Sequence, residues 1–128
     1  MVVAGLSSWH EQHERAARAL EPVFSLPAHV VIESYSVLTR LPSGLAVPPA
    51  AVAQVLSRRF TERPLRLDET QRAEIVETLA AAGVSGGSSY DGLVALEANA
   101  HAQALLTLDE RAQSTYRRLG IKFVAISS

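Results

Sequence analysis

Three carboxylates, Glu33, Asp91 and Asp109, stand at positions open both to a structural role and to chemistry. The chain contains ten Glu but only three Asp, namely Asp68, Asp91 and Asp109. Asp is a poor helix-interior residue, so each should occupy a cap, a turn or a site. Asp109 follows the apolar run Leu105-Leu106-Thr107-Leu108, at the carboxyl end of a predicted strand. In open α/β sheets ligands bind beyond that end. Asp91 lies in the first turn of a predicted helix behind Gly86-Gly87, where the helix dipole and the free N–H groups favour an ionised carboxylate. Glu33 interrupts an apolar segment, with His29-Val30-Val31-Ile32 before it and Ser34-Tyr35-Ser36-Val37-Leu38 after it. An acid in such company is paired, neutralised or a ligand. Each residue also has a simpler reading: Asp91 as a capping-turn acid, Asp109 as a helix N-cap, Glu33 as a solvated or Arg40-paired side chain. Were the three to converge, they would repel one another unless a hard divalent cation, Mg²⁺ or Mn²⁺, lay between their oxygens.

The elements that must position these acids follow from apolar period and from breakers. Ser8-Trp9-His10-Glu11 has the pattern of a capping box, and a polar-faced helix is predicted to about Leu20. Pro22 and Pro27 bracket a short strand over 23–26. Val31, Tyr35 and Leu38 recur at helical spacing in 28–41, and Pro42-Ser43-Gly44 ends that helix. Pro48-Pro49 opens another, with Val52, Val55 and Leu56 on one side, running to about Phe60. Residues 64–67 read as a strand, followed by a helix capped by Asp68 and ended by Gly83, with Ile75, Val76 and Leu79 as its stripe. Ser88-Ser89-Tyr90-Asp91 is a second capping pattern, and its helix runs through Leu93, Leu96 and Ala100. Strand 104–107, helix 109–119 ended by Gly120, and strand 121–126 complete the chain. Strands separated by helices imply right-handed crossovers and a parallel sheet of at least three strands with helices on both faces.

Three of these segments carry a resemblance to a known family. Residues 26–41, LPAHVVIESYSVLTRL, resemble the second acidic motif of PIN-domain proteins; residues 90–95, YDGLVA, resemble the third; residues 104–112, ALLTLDERA, resemble the fourth. The resemblance covers nearly the whole chain and points above all to VapC-type toxins of bacterial toxin–antitoxin pairs. It implies one PIN-like domain over residues 1–128, an α/β/α sandwich with a short parallel sheet, and cleavage of RNA by metal-activated water. Carried over residue by residue, it implies Asp91 as a direct ligand of Mg²⁺ or Mn²⁺, Asp109 and Glu33 completing the acidic pocket, and Thr107 as a minor polar neighbour. It further implies a cognate antitoxin protein that plugs the acidic groove, and a homodimer. The family's first motif is an aspartate ending an opening strand. Here no acid precedes Glu11, and residues 2–7 resemble the stretch just after that aspartate, so the first strand is expected to be missing. An alternative expectation is therefore an N-terminally truncated, inactive PIN-like binding module that keeps antitoxin or dimer contacts.

Composition bounds the remaining possibilities. At 128 residues the chain has the length of one domain and needs no staples. There is no cysteine, which excludes disulfides, thiolate zinc sites and a thiol nucleophile. Gly83 to Gly87 carries no dinucleotide or phosphate-loop fingerprint. His10 and His13 form no His-Glu-x-x-His motif and read as an exposed polar face. Apolar runs are too short for a membrane span and no signal-peptide core opens the chain, so a cytoplasmic protein is expected. A receiver-like or phosphatase-like domain would pair a strand-end Asp with a Lys, and Lys122 is badly placed for that. The net charge of −1 gives no bulk attraction for a polyanion, so any RNA contact must be local. The cations are eleven Arg and one Lys, and arginine forks suit phosphate geometry. Arg40, Arg111, Arg117 and Arg118 are the candidates for holding RNA phosphates, although an Arg-rich, Ala-rich chain also reflects base composition.

Overall fold

Proline and glycine punctuate the chain, and regular structure falls between them. The computed structural model describes residues 1–101, 103 and 105–126. Its elements are α1 (Val2–Leu6), α2 (His13–Leu20), α3 (Ala28–Thr39), α4 (Pro49–Arg59), α5 (Glu69–Ala73), α6 (Ile75–Ala81), α7 (Ser88–Asn99), β1 (Leu105–Thr107), α8 (Glu110–Arg118) and β2 (Phe123–Ala125). The chain divides into two compact units, Met1–Pro64 and Leu65–Ser128.

In the first unit the chain goes directly into helix. Gly5 lets α1 lie close against α2, because a Cβ there would collide with the Leu20 side chain. Buried Val2, Leu26, Leu38, Val52, Leu56 and Phe60 form one apolar cluster from α1, α3, α4 and the segment before α3. α4 starts at Pro49, where a missing N–H costs nothing. The expected Ser8–Glu11 capping box does not form. His10 Nδ1 instead accepts the Gln12 backbone N–H at 3.1 Å, and the helix begins at His13 with no side-chain cap.

The strand expected over 23–26 is also replaced. Pro22 and Pro27 leave four residues between them, too few for a ladder of their own. The carbonyls find other partners: the Glu62 N–H donates to Phe24 O at 2.9 Å. The Arg59 guanidinium donates to Val23 O at 2.7 Å and to Leu20 O, while lying 4.9 Å from the Phe60 ring centre.

The second unit contains the sheet. β1 pairs with β2 in parallel, Leu105 opposite Phe123 and Thr107 opposite Ala125. Parallel strands require a crossover, and α8 supplies it. The parallel pairing is as expected, but among the described residues the sheet has two strands where at least three were expected. Ala104, read above as part of β1, lies outside those residues. Residues 64–67 form no regular strand. Pro64 has no N–H to give, and the backbone N and O of Arg66 both face His101 Nε2, at 3.3 and 3.0 Å.

The helix expected over 68–83 is broken at Glu74, whose φ of −98° and ψ of 6° leave the α region. The physical reason is a lack of anchoring: α5 buries nothing and α6 buries only Leu79. Val76, assigned to the apolar stripe, is 71% exposed. Gly83 then turns the chain at φ +72°. No helix among the described residues is long and apolar enough to cross a membrane.

Asp68 caps α5 as expected. Its Oδ1 accepts the Gln71 N–H at 2.7 Å, and Gln71 Oε1 accepts the Asp68 N–H at 3.0 Å. Since α5 has no buried residue, this box is its main local support. Asp68→Ala is expected to cost about 1 kcal/mol, seen as faster hydrogen exchange in 69–74 while amides of α7 keep their protection.

Candidate acidic site

The end of β1 fixes one carboxylate closely. Thr107 is buried, with 4% of its surface exposed, and its hydroxyl turns to the backbone two residues on. The Asp109 N–H donates to Thr107 Oγ1 at 3.0 Å, and the hydroxyl faces Asp109 O at 3.4 Å. That holds Asp109 extended, at φ −96° and ψ 106°, where its Oδ1 accepts the Arg111 N–H at 2.9 Å. Asp109 is thus the N-cap of α8. Its side chain remains half exposed beside Arg111 Nε at 4.0 Å. One oxygen serves the cap, and a carboxylate has further lone pairs to offer.

Asp91 lies in the first turn of α7, half-buried, where the helix dipole favours its negative charge. The expected Ser88–Asp91 capping pattern is not used: Gly87 is the N-cap, Ser88 is already helical, and no side chain caps the helix. The neighbouring Gly92 lets α7 pack closely. A Cβ there would stand 2.6 Å from Leu79 Cδ2 and 3.4 Å from Leu119 Cδ1. The turn that carries Asp91 therefore packs beside the C-terminal end of α8, whereas Asp109 caps the opposite end of that helix.

Glu33 belongs to the first unit. It is exposed on α3, and its Oε2 meets His29 Nε2 at 3.2 Å, one turn earlier. The buried residues of α3 are Ser34 and Leu38, so Glu33 faces away from the core. Of the alternatives left open by the sequence, it is paired, with His29 rather than Arg40. Arg40 Nε instead donates to Ser36 Oγ at 3.3 Å. A surface pair of this kind contributes little to stability, about 0–1 kcal/mol, and leaves the carboxylate accessible.

One acid escaped the sequence reading. Glu97 on α7 is buried, with 5% of its surface exposed. The signal was available: Glu97 follows Val94 by three residues and so falls on the buried stripe with Val94 and Ala98. His10 and His13 use ring nitrogens locally, His10 as above and His13 Nδ1 against Ala4 O at 2.9 Å.

The carboxylate oxygens are the right donors for a hard dication. Their gathering is a separate question. Among the described residues no group of three or more His, Cys, Asp or Glu side chains is placed to hold a metal ion. Asp91 and Asp109 together therefore supply no complete set of side-chain ligands within the second unit.

Comparison with known proteins supplies an independent finding. The PIN domain profile matches residues 1–118. The chain is 43% identical over 122 residues to ribonuclease VapC40 of Mycobacterium tuberculosis, covering 95% of this chain and 91% of that protein. It is 41% identical over 100 residues to ribonuclease VapC27 of the same organism, covering 78% and 72% respectively. No solved structure matches the chain.

The Thr107 hydroxyl is the contact that orients Asp109. Thr107→Val keeps the shape and the β-branch but removes it, and is expected to cost about 1 kcal/mol. The check is a lower urea midpoint with an unchanged slope.

Proposed function

The chain belongs to the PIN-domain family, and on that premise we propose that it is a VapC-type endoribonuclease toxin, dependent on Mg²⁺ or Mn²⁺ and neutralised by a cognate antitoxin protein. The observation that carries this reading is the near-full-length likeness to a protein named a ribonuclease, which runs through both units and supports treating residues 1–128 as one domain. Glu33, Asp91 and Asp109 are the acids proposed to confer the divalent-ion dependence. Each is accessible in part: Glu33 and Asp109 are exposed and Asp91 is half-buried.

The chain's own residues have separable roles in this proposal. Thr107 holds Asp109 in its extended conformation, and Asp91 stands in the first turn of α7, where a helix dipole favours negative charge. Arg111, beside Asp109, and Arg40 are the cations proposed to meet RNA phosphates, as charge-assisted donors suited to that geometry. A protein partner is supported by an open apolar groove of about 590 Å³ in the first unit, between α3 and α4, lined by Leu26, Val31, Ile32, Tyr35, Leu56 and Phe60 among others. A homodimer and a cytoplasmic location belong to the same proposal.

A second reading, a PIN-like binding module that does not hydrolyse RNA, is favoured by the lack of a three-ligand cluster among the described residues. The two separate cleanly in solution. For the nuclease, wild-type protein cleaves single-stranded RNA with Mg²⁺ or Mn²⁺ and stops with EDTA. Asp91→Asn and Asp109→Asn each lower the rate about 100-fold or more, on the scale of losing a charge-stabilising group, with circular dichroism and unfolding midpoints preserved. Undiminished cleavage by either variant removes that residue from the site. A wild type that neither cleaves nor gains thermal stability with Mg²⁺ or Mn²⁺ leaves the binding module.

A further inference from the structure

The ribonuclease reading leaves open where the RNA strand runs, and the cations of the second unit are not spread evenly. Between residues 105 and 126 the acids are Asp109 and Glu110, both at the start of α8. The cations are Arg111, Arg117, Arg118 and Lys122, all beyond them. This stretch carries net charge +2 in a chain whose total is −1. All four cations are exposed. Arg111 and Arg118 are seven residues apart, just short of two helical turns, so they share a face and stand about 10.5 Å apart along the axis. Ser114, also exposed, lies between them. Gly120 turns the chain at φ +69°, and Lys122 follows directly before β2.

Helix stability explains only part of this stripe. Arg117 and Arg118 occupy the last turn of α8, where a cation complements the dipole. Arg111 occupies the first turn, where the dipole opposes a cation, and its side chain is 96% exposed. Lys122 is outside the helix altogether. Among the described residues the only ion pair on this surface is Arg111 with Asp109, at 4.0 Å. Two of the arginines are also held in place without losing their outward donors. Arg118 Nη1 donates to Gly83 O at 3.0 Å. Arg117 lies 5.4 Å from the Phe123 ring centre and reaches Gln113 Oε1 at 3.3 Å. A guanidinium has five N–H donors, so each keeps several for a ligand.

We propose that the outer face of α8, from Arg111 through Arg118 to Lys122, is the track that holds the phosphate backbone of single-stranded RNA and leads it to Asp109. The proposal rests on the ribonuclease reading and adds to it the direction of the strand. Arg111 meets the phosphate nearest Asp109, while Arg118 and Lys122 hold phosphates farther along. Such contacts carry no sequence preference, and their signature is salt dependence.

The test is fluorescence anisotropy of short fluorescein-labelled single-stranded RNAs of two unrelated sequences, in EDTA, over a range of salt concentrations. Each phosphate contact contributes about 0.7 to the slope of log affinity against log salt. Arg111→Gln/Arg118→Gln/Lys122→Gln is expected to lower the slope by about 2 and to weaken both RNAs alike. Because Arg118 also binds the Gly83 carbonyl, the double variant Arg111→Gln/Lys122→Gln is measured beside it, with an expected loss of about 1.4. Arg15→Gln/Arg18→Gln on α2 is expected to leave the slope unchanged. An unchanged slope in both α8 variants overturns the track. If wild-type protein still cleaves RNA with Mg²⁺, the ribonuclease reading survives that result; if wild type neither binds nor cleaves RNA, both fall. Loss of affinity for an acidic peptide with RNA binding intact also overturns the proposal, and assigns the face to a protein partner.

Discussion

Parallel pairing of two three-residue strands is the constraint on which the second unit depends. An antiparallel pair can close through a tight turn. A parallel pair cannot, because the chain must return to the starting end before the next strand begins. Here the return is α8, and the point where the chain leaves β1 and enters α8 is Asp109. Its position at the carboxyl end of the strand is therefore a consequence of topology. The same geometry explains why its backbone must be extended, why a buried hydroxyl at Thr107 can reach it, and why one carboxylate oxygen is used as a cap. The cap reading of Asp109 is correct, and it leaves the rest of the carboxylate free of the cap.

The acids and the cations of this unit are organised by the same helix. Asp109 and Glu110 stand at its positive end, and Arg117 and Arg118 at its negative end, each favoured there by the dipole. Charge separation along α8 thus arises from ordinary helix energetics. Arg111 is the residue that breaks this order, since it places a positive charge next to an acid at the wrong end for the dipole. Residues that contradict local energetics are the informative ones, because some other interaction has to offset their cost.

The sequence was most legible where the backbone had no alternatives. Pro49, Asp68, Gly83 and Gly120 marked helix ends that the structure keeps, because a missing N–H, a capping carboxylate and positive-φ positions are local properties. It was least legible where a segment's fate depended on partners. Residues 23–26 and 64–67 have strand composition, but their backbone groups are met by Arg59, Glu62 and His101 in place of a ladder. Ser8–Glu11 and Ser88–Asp91 carry capping patterns that the chain does not use, since in each case the helix starts at a different residue. Among the acids, Asp109 and Asp91 stand on the elements assigned to them. Glu33 lies on its helix but in an exposed pair with His29, which no reading of Glu33 and its apolar neighbours alone could settle. Glu97 is visible in the helical period, three residues after Val94 on the buried stripe.

The arginine content shows how composition and structure divide an explanation. Eleven Arg against one Lys is compatible with a compositional bias that favours arginine wherever a cation is tolerated. Such a bias predicts that arginines fill roles lysine could fill equally. Arg59 does not fit that description: its guanidinium reaches two backbone carbonyls while stacked on Phe60, a task for a planar fork. Arg117 over Phe123 uses the same planarity. Arg111 and Arg40 have no ring or carbonyl of this kind assigned to them and are interchangeable with lysine as far as folding is concerned. Base composition therefore suffices for their identity, but it does not place a cation in the first turn of α8 beside Asp109. What the charge faces there is Asp109, whose Oδ1 lies 4.0 Å from Arg111 Nε.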